Sequence, residues 1–318
     1  MGQRLAILGA GAVGRSVLEL ANTHGHVVTA IADSQSAAID ADGLEPSDVL
    51  DRKDAGDAIG TGTVEDLLAS SYDILIEATP TTLGDAQPGF RHVRAALEAD
   101  RDVVLANKGP MAERYADVRT LERESAGRVR FEATVGGAIP ILSVIQDYGP
   151  ERIEAARGVL NGTANFILTR MSGEGLDFEH VLAEAQDLGV AEADPSFDVD
   201  GTDAALKCVI LANVLTDGDP EFTLDDAAVE GIEDIPGIAL ELAAEDGRTV
   251  RLIGEATRDG ISVAPKLVPE NGTLAVTGTQ NIVQVTTRDA GRLNISGRGA
   301  GGPETATAIL ADVNRLDG

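Results

Sequence analysis

Apolar residues follow two rhythms along this chain. Leu5–Leu8 is a short unbroken apolar run, fit for a parallel strand buried on both faces. "VGRSVLELA" then places apolar side chains at 13, 17, 18, 20 and 21, the repeat of a helix. "HVVTAIAD" reads as a second strand closing on Asp33. The alternation continues with strands at 72–78, in "RDVVLANKG" ending at Asn107-Lys108, and in "RVRFEATVGGAIP" ending at Glu132, with a helix over most of "AQPGFRHVRAALEAD". Such alternation implies an α/β fold with a Rossmann-type, doubly wound parallel sheet, whose ligands bind outside the carboxyl ends of the strands.

Past residue 150 the pattern changes. Residues 151–160 read as a strand of a separate sheet, and Asn161-Gly162-Thr163 opens a helix. "DFEHVLAEAQDLGV" is a second helix capped by Gly189. Pro195 bars helix in the next stretch, and Asp198 or Asp200 is the expected N-cap of "DAALKCVILANVL", which is apolar nearly all round, as in a buried helix. Two hairpins come after it, one turning at Asp259-Gly260 and one in "NIVQVTTRDAGRLNISGRGAGG". With the 151–160 strand they should build a mixed or antiparallel sheet. The expected organisation is a dinucleotide-binding domain at 1–134, onto which a glycine-led C-terminal segment, 301–318, packs back, and an α+β substrate and dimerisation domain at 135–300.

Composition narrows the class of protein. Fifty-three acids against 25 Lys plus Arg give a formal net charge of -28, spread through the chain. Such a surface repels nucleic-acid phosphates and anionic lipid, so neither is an expected partner. It reads as a salt-adapted surface from a high-salt cytoplasm. One cysteine, Cys208, excludes an internal disulfide framework and fits a reducing compartment. No apolar run approaches the roughly 18–20 residues of a membrane span, and the chain enters a strand within four residues, so no signal peptide is expected. These features together imply a cytoplasmic protein.

The first third carries a recognisable binding device. Gly9, Gly11 and Gly14 come after the first strand at G-x-G-x-x-G spacing. The first glycine permits the turn, the second lets a pyrophosphate approach, and the third lets helix and strand pack closely. Ala12 and Val13, at the helix N-terminus, offer N–H groups to the phosphates. Asp33 suits an adenosine ribose and favours NAD over NADP, because a carboxylate repels a 2′-phosphate and "SQSAAID" supplies no arginine. Thr79, Pro80 and Lys108 lie at strand ends where the cofactor should run. The chain has four lysines in all; Lys53 sits in a loop without signal, and Lys266 in a hairpin reads as structural.

The acidic run "EADPSFDVDGTDAALKC" ends on the fourth, Lys207. Asp203 and Lys207 are four apart and share a helix face. An exposed pair of this kind is worth about 0.3–0.5 kcal/mol. The apolarity of "CVILANVL", the remainder of that helix, argues instead for burial, and a buried lysine needs carboxylate partners. A cationic amine so held can give a proton to a forming alkoxide, while spare acids grip a substrate ammonium. Cys208 points elsewhere and belongs to the core.

"GAGAVG", "ANKGP", "EATVGGAIPI", "GVLNGTANFIL", "LGVAEADPSFDVDGTDAALK" and "GRGAGGPETATAILADV" occur in order over almost the whole chain. Together they resemble the signature segments of homoserine dehydrogenases, which interconvert L-homoserine and L-aspartate 4-semialdehyde with NAD(P). The resemblance implies Lys207 as general acid/base and Lys108 as a second catalytic lysine near the nicotinamide. It puts Glu192, Asp198, Asp203 and Thr163 around the substrate, and Gly301 beside the cofactor. It implies a structural monovalent cation, commonly Na⁺, at Glu132, Val135, Gly137 and Ile139; a homodimer is expected because the mixed or antiparallel sheet of the second domain is a common place for subunits to pair. Val190 stands where the family often has tyrosine, so altered substrate affinity with retained chemistry is expected. With the sequence ending at Gly318, neither a regulatory domain nor a fused kinase is expected. Aspartate semialdehyde dehydrogenase needs a cysteine thiolate, and Cys208 lacks the surrounding motif. A nucleotide-sensing protein without turnover would keep the glycines but need no lysine–carboxylate cluster.

Overall fold

The computed structural model describes residues 2–316. Positions 1, 317 and 318, at the outer edges of the expected first domain, lie outside the described residues. The chain divides into two compact units: one runs to Ala138 and takes in the chain from Ala300 onward, and the other is Ile139–Gly299.

The first unit is built on strands β1 (Arg4–Leu8), β2 (Val27–Ala32), β3 (Ala37–Ile39), β4 (Ile74–Glu77), β5 (Asp102–Leu105) and β6 (Val129–Arg130). They lie in the order β3-β2-β1-β4-β5-β6, parallel except for β3, which runs against β2. Leu5, Ile7, Ile31, Ile74, Ile76 and Val104 fill the core from the sheet, Val17 and Leu18 from helix Ala12–Leu20, and Ile309, Leu310 and Val313 from helix Gly302–Leu316. The C-terminal helix docks closely because its first residue is glycine. A Cβ on Gly302 would stand 2.8 Å from the Ala12 carbonyl oxygen and 2.7 Å from Ser16 Oγ.

The second unit is built on strands β7 (Ile153–Val159), β8 (Ala227–Val229), β9 (Arg248–Thr257), β10 (Ile261–Pro269), β11 (Gln280–Thr287) and β12 (Gly291–Arg298). They lie in the order β12-β11-β7-β9-β10-β8. All neighbours are antiparallel except β10 and β8, so this sheet is mixed, and both expected hairpins are present. Helix Thr202–Thr216 is buried from Asp203 to Leu215.

Four local expectations are corrected. β6 is only two residues long, because Glu132 caps a helical turn, Ala133–Gly136, instead of ending a strand. Lys53 lies in helix Pro46–Asp54, not in a loop. Pro195 starts one helical turn, Ser196–Val199, where its missing N–H costs nothing. The cap of helix Thr202–Thr216 is Gly201 at φ 91°, neither Asp198 nor Asp200; Asp200 does accept from the Thr202 amide at 2.9 Å.

Candidate active site

In the first unit the glycine turn has the geometry its spacing implies. Gly9 sits at φ 106°, and a Cβ there would overlap the Ala78 carbonyl oxygen. A Cβ on Gly14 would overlap the Gly9 carbonyl oxygen. Gly11 differs: nothing lies within 4 Å of where its Cβ would be. That open face, at a helix N-cap with no side-chain cap, fits a phosphate approaching backbone N–H groups. Ala12 and Val13 form the first turn behind it. The chain thus fits a dinucleotide on an observation independent of the motif.

Asp33 is not alone at the end of β2. Its Oδ1 accepts from the Gln35 and Ser36 amides at 2.8 and 2.9 Å, and its Oδ2 accepts from Lys53 Nζ at 2.5 Å. Burial pushes the Asp33 carboxyl up, but the Lys53 ammonium and the two amides outweigh it and hold the group below the ordinary carboxylate range. The reading that Lys53 carries no signal is therefore wrong, and no arginine is needed to bring a cation to this acid.

Thr79 and Pro80 follow β4 with Ala78 between, and Lys108 caps the short helix Gly109–Glu113 after β5. The Lys108 amide donates to Thr81 Oγ1 at 3.3 Å. Gly301, at φ 127°, precedes the C-terminal helix. Glu132 is buried; its amide donates to Asp312 at 2.8 Å and its carboxylate lies 3.7 Å from Arg315. Burial pushes the Asp312 carboxyl up. Of the four candidate cation ligands, Glu132, Val135 and Gly137 belong to the first unit, and Ile139 opens the second.

In the second unit Lys207 is only 6% exposed, which rules out a solvated surface pair. Its Nζ donates to Asp203 Oδ2 and to the Leu160 carbonyl, both at 2.7 Å. An ammonium has three N–H donors, so among the described residues one remains for a substrate oxygen. Asn161, a residue the sequence marks only as a helix opener, joins the acids. Its amide nitrogen donates to Asp203 Oδ2 at 2.8 Å and to Asp198 Oδ1 at 2.6 Å, while its oxygen caps helix Gly162–Glu174 by accepting from Ala164. Burial, and after it the charge of Asp203, raise the Asp198 carboxyl above the ordinary range. Thr163 donates to the Val190 carbonyl at 3.1 Å and lies beside Asp198. Glu192 stands exposed, its carbonyl accepting from Gln186 at 3.1 Å. The structure brings Asp198, Asp203, Lys207 and Thr163 together.

Cys208, next in the chain, is fully buried, and burial pushes its thiol up to about 12. A thiol so protonated is no nucleophile, which removes the thioester chemistry of a semialdehyde dehydrogenase.

An open glycine turn with an acid on the next strand, and a buried ammonium held with one donor to spare, define an NAD(P)-dependent oxidoreductase. Comparison with known proteins gives the family. Residues 9–132 match the model of the homoserine dehydrogenase NAD-binding domain, and 140–313 that of homoserine dehydrogenase itself. A homoserine dehydrogenase of Methanocaldococcus jannaschii is 37% identical over 97% of both chains. An NAD(+)-dependent homoserine dehydrogenase of Pseudomonas canavaninivorans is 39% identical, over 81% of this chain and 73% of its own. A crystal structure of a putative homoserine dehydrogenase from Archaeoglobus fulgidus superposes with a TM-score of 0.90 at 38% identity, over 99% of both chains. A hyperthermophilic archaeal homoserine dehydrogenase in complex with NADPH gives 0.85 at 26% identity, over 100% of this chain and 98% of its own. The chain belongs to the homoserine dehydrogenase family.

Proposed function

We propose that this protein interconverts L-homoserine and L-aspartate 4-semialdehyde with NAD(P), with Lys207 as general acid/base. The observation that carries the reading is the buried Lys207 ammonium, tied to Asp203 and to the Leu160 carbonyl. When bound, the nicotinamide supplies the hydride to the aldehyde carbon or takes it from the alcohol. In the reducing direction Lys207 gives its spare proton to the carbonyl oxygen and is left as a neutral amine. In the oxidising direction the neutral amine takes the hydroxyl proton back. Asp198, Asp203 and Glu192 supply negative charge for the substrate ammonium, Thr163 a hydroxyl, and Lys108 a second cation on the cofactor side.

The test is growth of reduced-nicotinamide absorbance with L-homoserine in molar KCl. Lys207→Ala should cut kcat by about 10²–10⁴ while the dinucleotide dissociation constant stays near wild type. A Lys207→Ala protein with wild-type turnover would overturn the assignment.

Finer features belong to the same proposal. NAD is the favoured cofactor because of Asp33, with Lys53 keeping NADP admissible. A monovalent cation, Na⁺, at Glu132, Val135, Gly137 and Ile139 rests on family resemblance; activity that is equal in Na⁺ and in a bulky organic cation at matched ionic strength would count against it. The net charge of -28 supports a salt-adapted cytoplasmic enzyme. A homodimer formed through the second unit is the expected assembly, to be weighed by light scattering.

A further inference from the structure

Beneath the strand ends of the first unit lies a buried carboxylate that the proton transfer at Lys207 leaves unused. Glu77, the last residue of β4, is 0% exposed, and its one ionisable partner among the described residues is a histidine rather than a lysine or arginine. Oε1 accepts from the Thr79 amide at 3.0 Å, from the Thr79 hydroxyl, and from Asn107 Nδ2 at 3.3 Å. Oε2 meets His92 Nδ1 at 2.7 Å, from helix Gly89–Glu98. Among the described residues, buried His92 Nε2 has no hydrogen-bond partner. With a proton on Nδ1 the imidazole donates to Glu77 Oε2.

The donors then have fixed fates. Asn107 has two amide protons, and they go to Glu77 and to Thr79 Oγ1 at 3.1 Å; its oxygen accepts from the Gly109 amide at 2.9 Å. Asn107 is therefore turned wholly inward, although it directly precedes Lys108. The Thr79 hydroxyl has given its only proton to Glu77 and one lone pair to Asn107. One lone pair is left. Thr79 is half-buried, and the place where a Cβ of Gly9 would sit is 2.9 Å from its backbone nitrogen, so it borders the glycine turn. A single carboxylate thus fixes the chain after β4, the chain after β5 and the wall against which the turn after β1 lies.

We infer that Glu77 is a positioning residue for the dinucleotide: by taking the Thr79 proton and one Asn107 proton it makes Thr79 an acceptor only, aimed at a hydrogen-bond donor of the bound cofactor. The donor is either a ribose hydroxyl or the carboxamide N–H of the nicotinamide. This rests on the dinucleotide-binding reading of the unit. Hydrophobic residues could have joined β4 to β5 equally well; what they could not do is set the proton direction at Thr79.

The test is titration of NADH by fluorescence in molar KCl, for wild type, Glu77→Gln, Thr79→Val and Thr79→Ser, with each unfolding midpoint measured. Glutamine puts an amide N–H₂ among donors, so Glu77→Gln should weaken NADH roughly tenfold or more, with KM for homoserine nearly unchanged at saturating dinucleotide. Thr79→Val should weaken NADH likewise, and Thr79→Ser should restore it. If Glu77→Gln does not fold, Thr79→Val decides. A folded Glu77→Gln or Thr79→Val protein that binds NADH as wild type does overturns the inference. So does an equal rise in both KM values tracking lost stability. The 3-acetylpyridine analogue lacks carboxamide N–H groups. If wild type loses affinity for it and Thr79→Val does not, the donor is the carboxamide; a loss shared by both points to the ribose. Wild-type protein silent to NADH and NADPH would overturn the dinucleotide reading itself, an outcome distinct from failure of the variants.

Discussion

A lysine among acids is an ordinary sight on a protein surface; Lys207 differs because burial leaves it no water to fall back on. Spacing alone exposes the Asp203–Lys207 pair, since residues four apart meet on a helix. It cannot expose the Leu160 carbonyl, a backbone acceptor that has no side-chain signature, nor the second use of Asn161 as tie between two carboxylates. Lys53 escapes the sequence for a related reason. It reaches Asp33 by tertiary approach across 20 positions of sequence. Two predictions belong at this scale. Burial and Asp203 raise Asp198, so its contribution to stability is present below about pH 4, the unfolded value, and is lost as pH rises through the folded one. Asp198→Asn removes that loss. Its melting temperature at pH 7–8 should exceed wild type by a few degrees, roughly 2–4 °C for 1 kcal/mol, with the gain vanishing near pH 4 and activity reduced. A lower melting temperature at pH 8 would refute this. At the other site, Lys53→Ala leaves Asp33 without its cation, and kcat/KM for NADP should fall about tenfold relative to NAD. An unchanged ratio would mean that Lys53 serves Asp33 alone.

Elements are easier to read than their ends. The β1-turn-helix-β2 unit and the hairpin at Asp259-Gly260 arise from periodicity and turn chemistry, which act locally. Periodicity overextends β6 because Phe131 and Glu132 continue an apolar–polar pattern that a strand and a helical turn share. At the start of helix Thr202–Thr216 the acids suggest a side-chain cap, yet Gly201 holds the turn at φ 91°, where a side chain is strained. A Cβ there would also stand 3.0 Å from Val229 Cγ1 and 3.2 Å from Val263 Cγ1. That glycine sets where Asp203 and Lys207 emerge. Gly201→Ala should therefore cost about 1–3 kcal/mol in chemical denaturation and lower kcat as well. Loss of stability with full kcat would separate the cap from the catalytic geometry.

For the whole molecule the governing quantity is charge. Two cores that are each well filled carry between them a formal -28, and like charges repel over a Debye length that grows from about 10 Å at 0.1 M salt to about 30 Å at 0.01 M. Composition makes this legible without any structure, because self-repulsion depends on the sum of charges more than on their positions. Dialysis into salt-free buffer should erase much of the helical circular dichroism, and molar KCl should restore it. A spectrum indifferent to salt would show that packing alone holds the fold.

The same compactness has a practical side. The protein has one thiol, and it lies sealed beside Gly254, whose added Cβ would come within 2.7 Å of the sulfur. To a maleimide the native surface is blank. A cysteine introduced at an exposed position would be the sole addressable group on the molecule, and a dye attached there would report changes in its surroundings when dinucleotide and then homoserine are added. The buried sulfur thereby leaves every labelled position on the surface to be chosen freely.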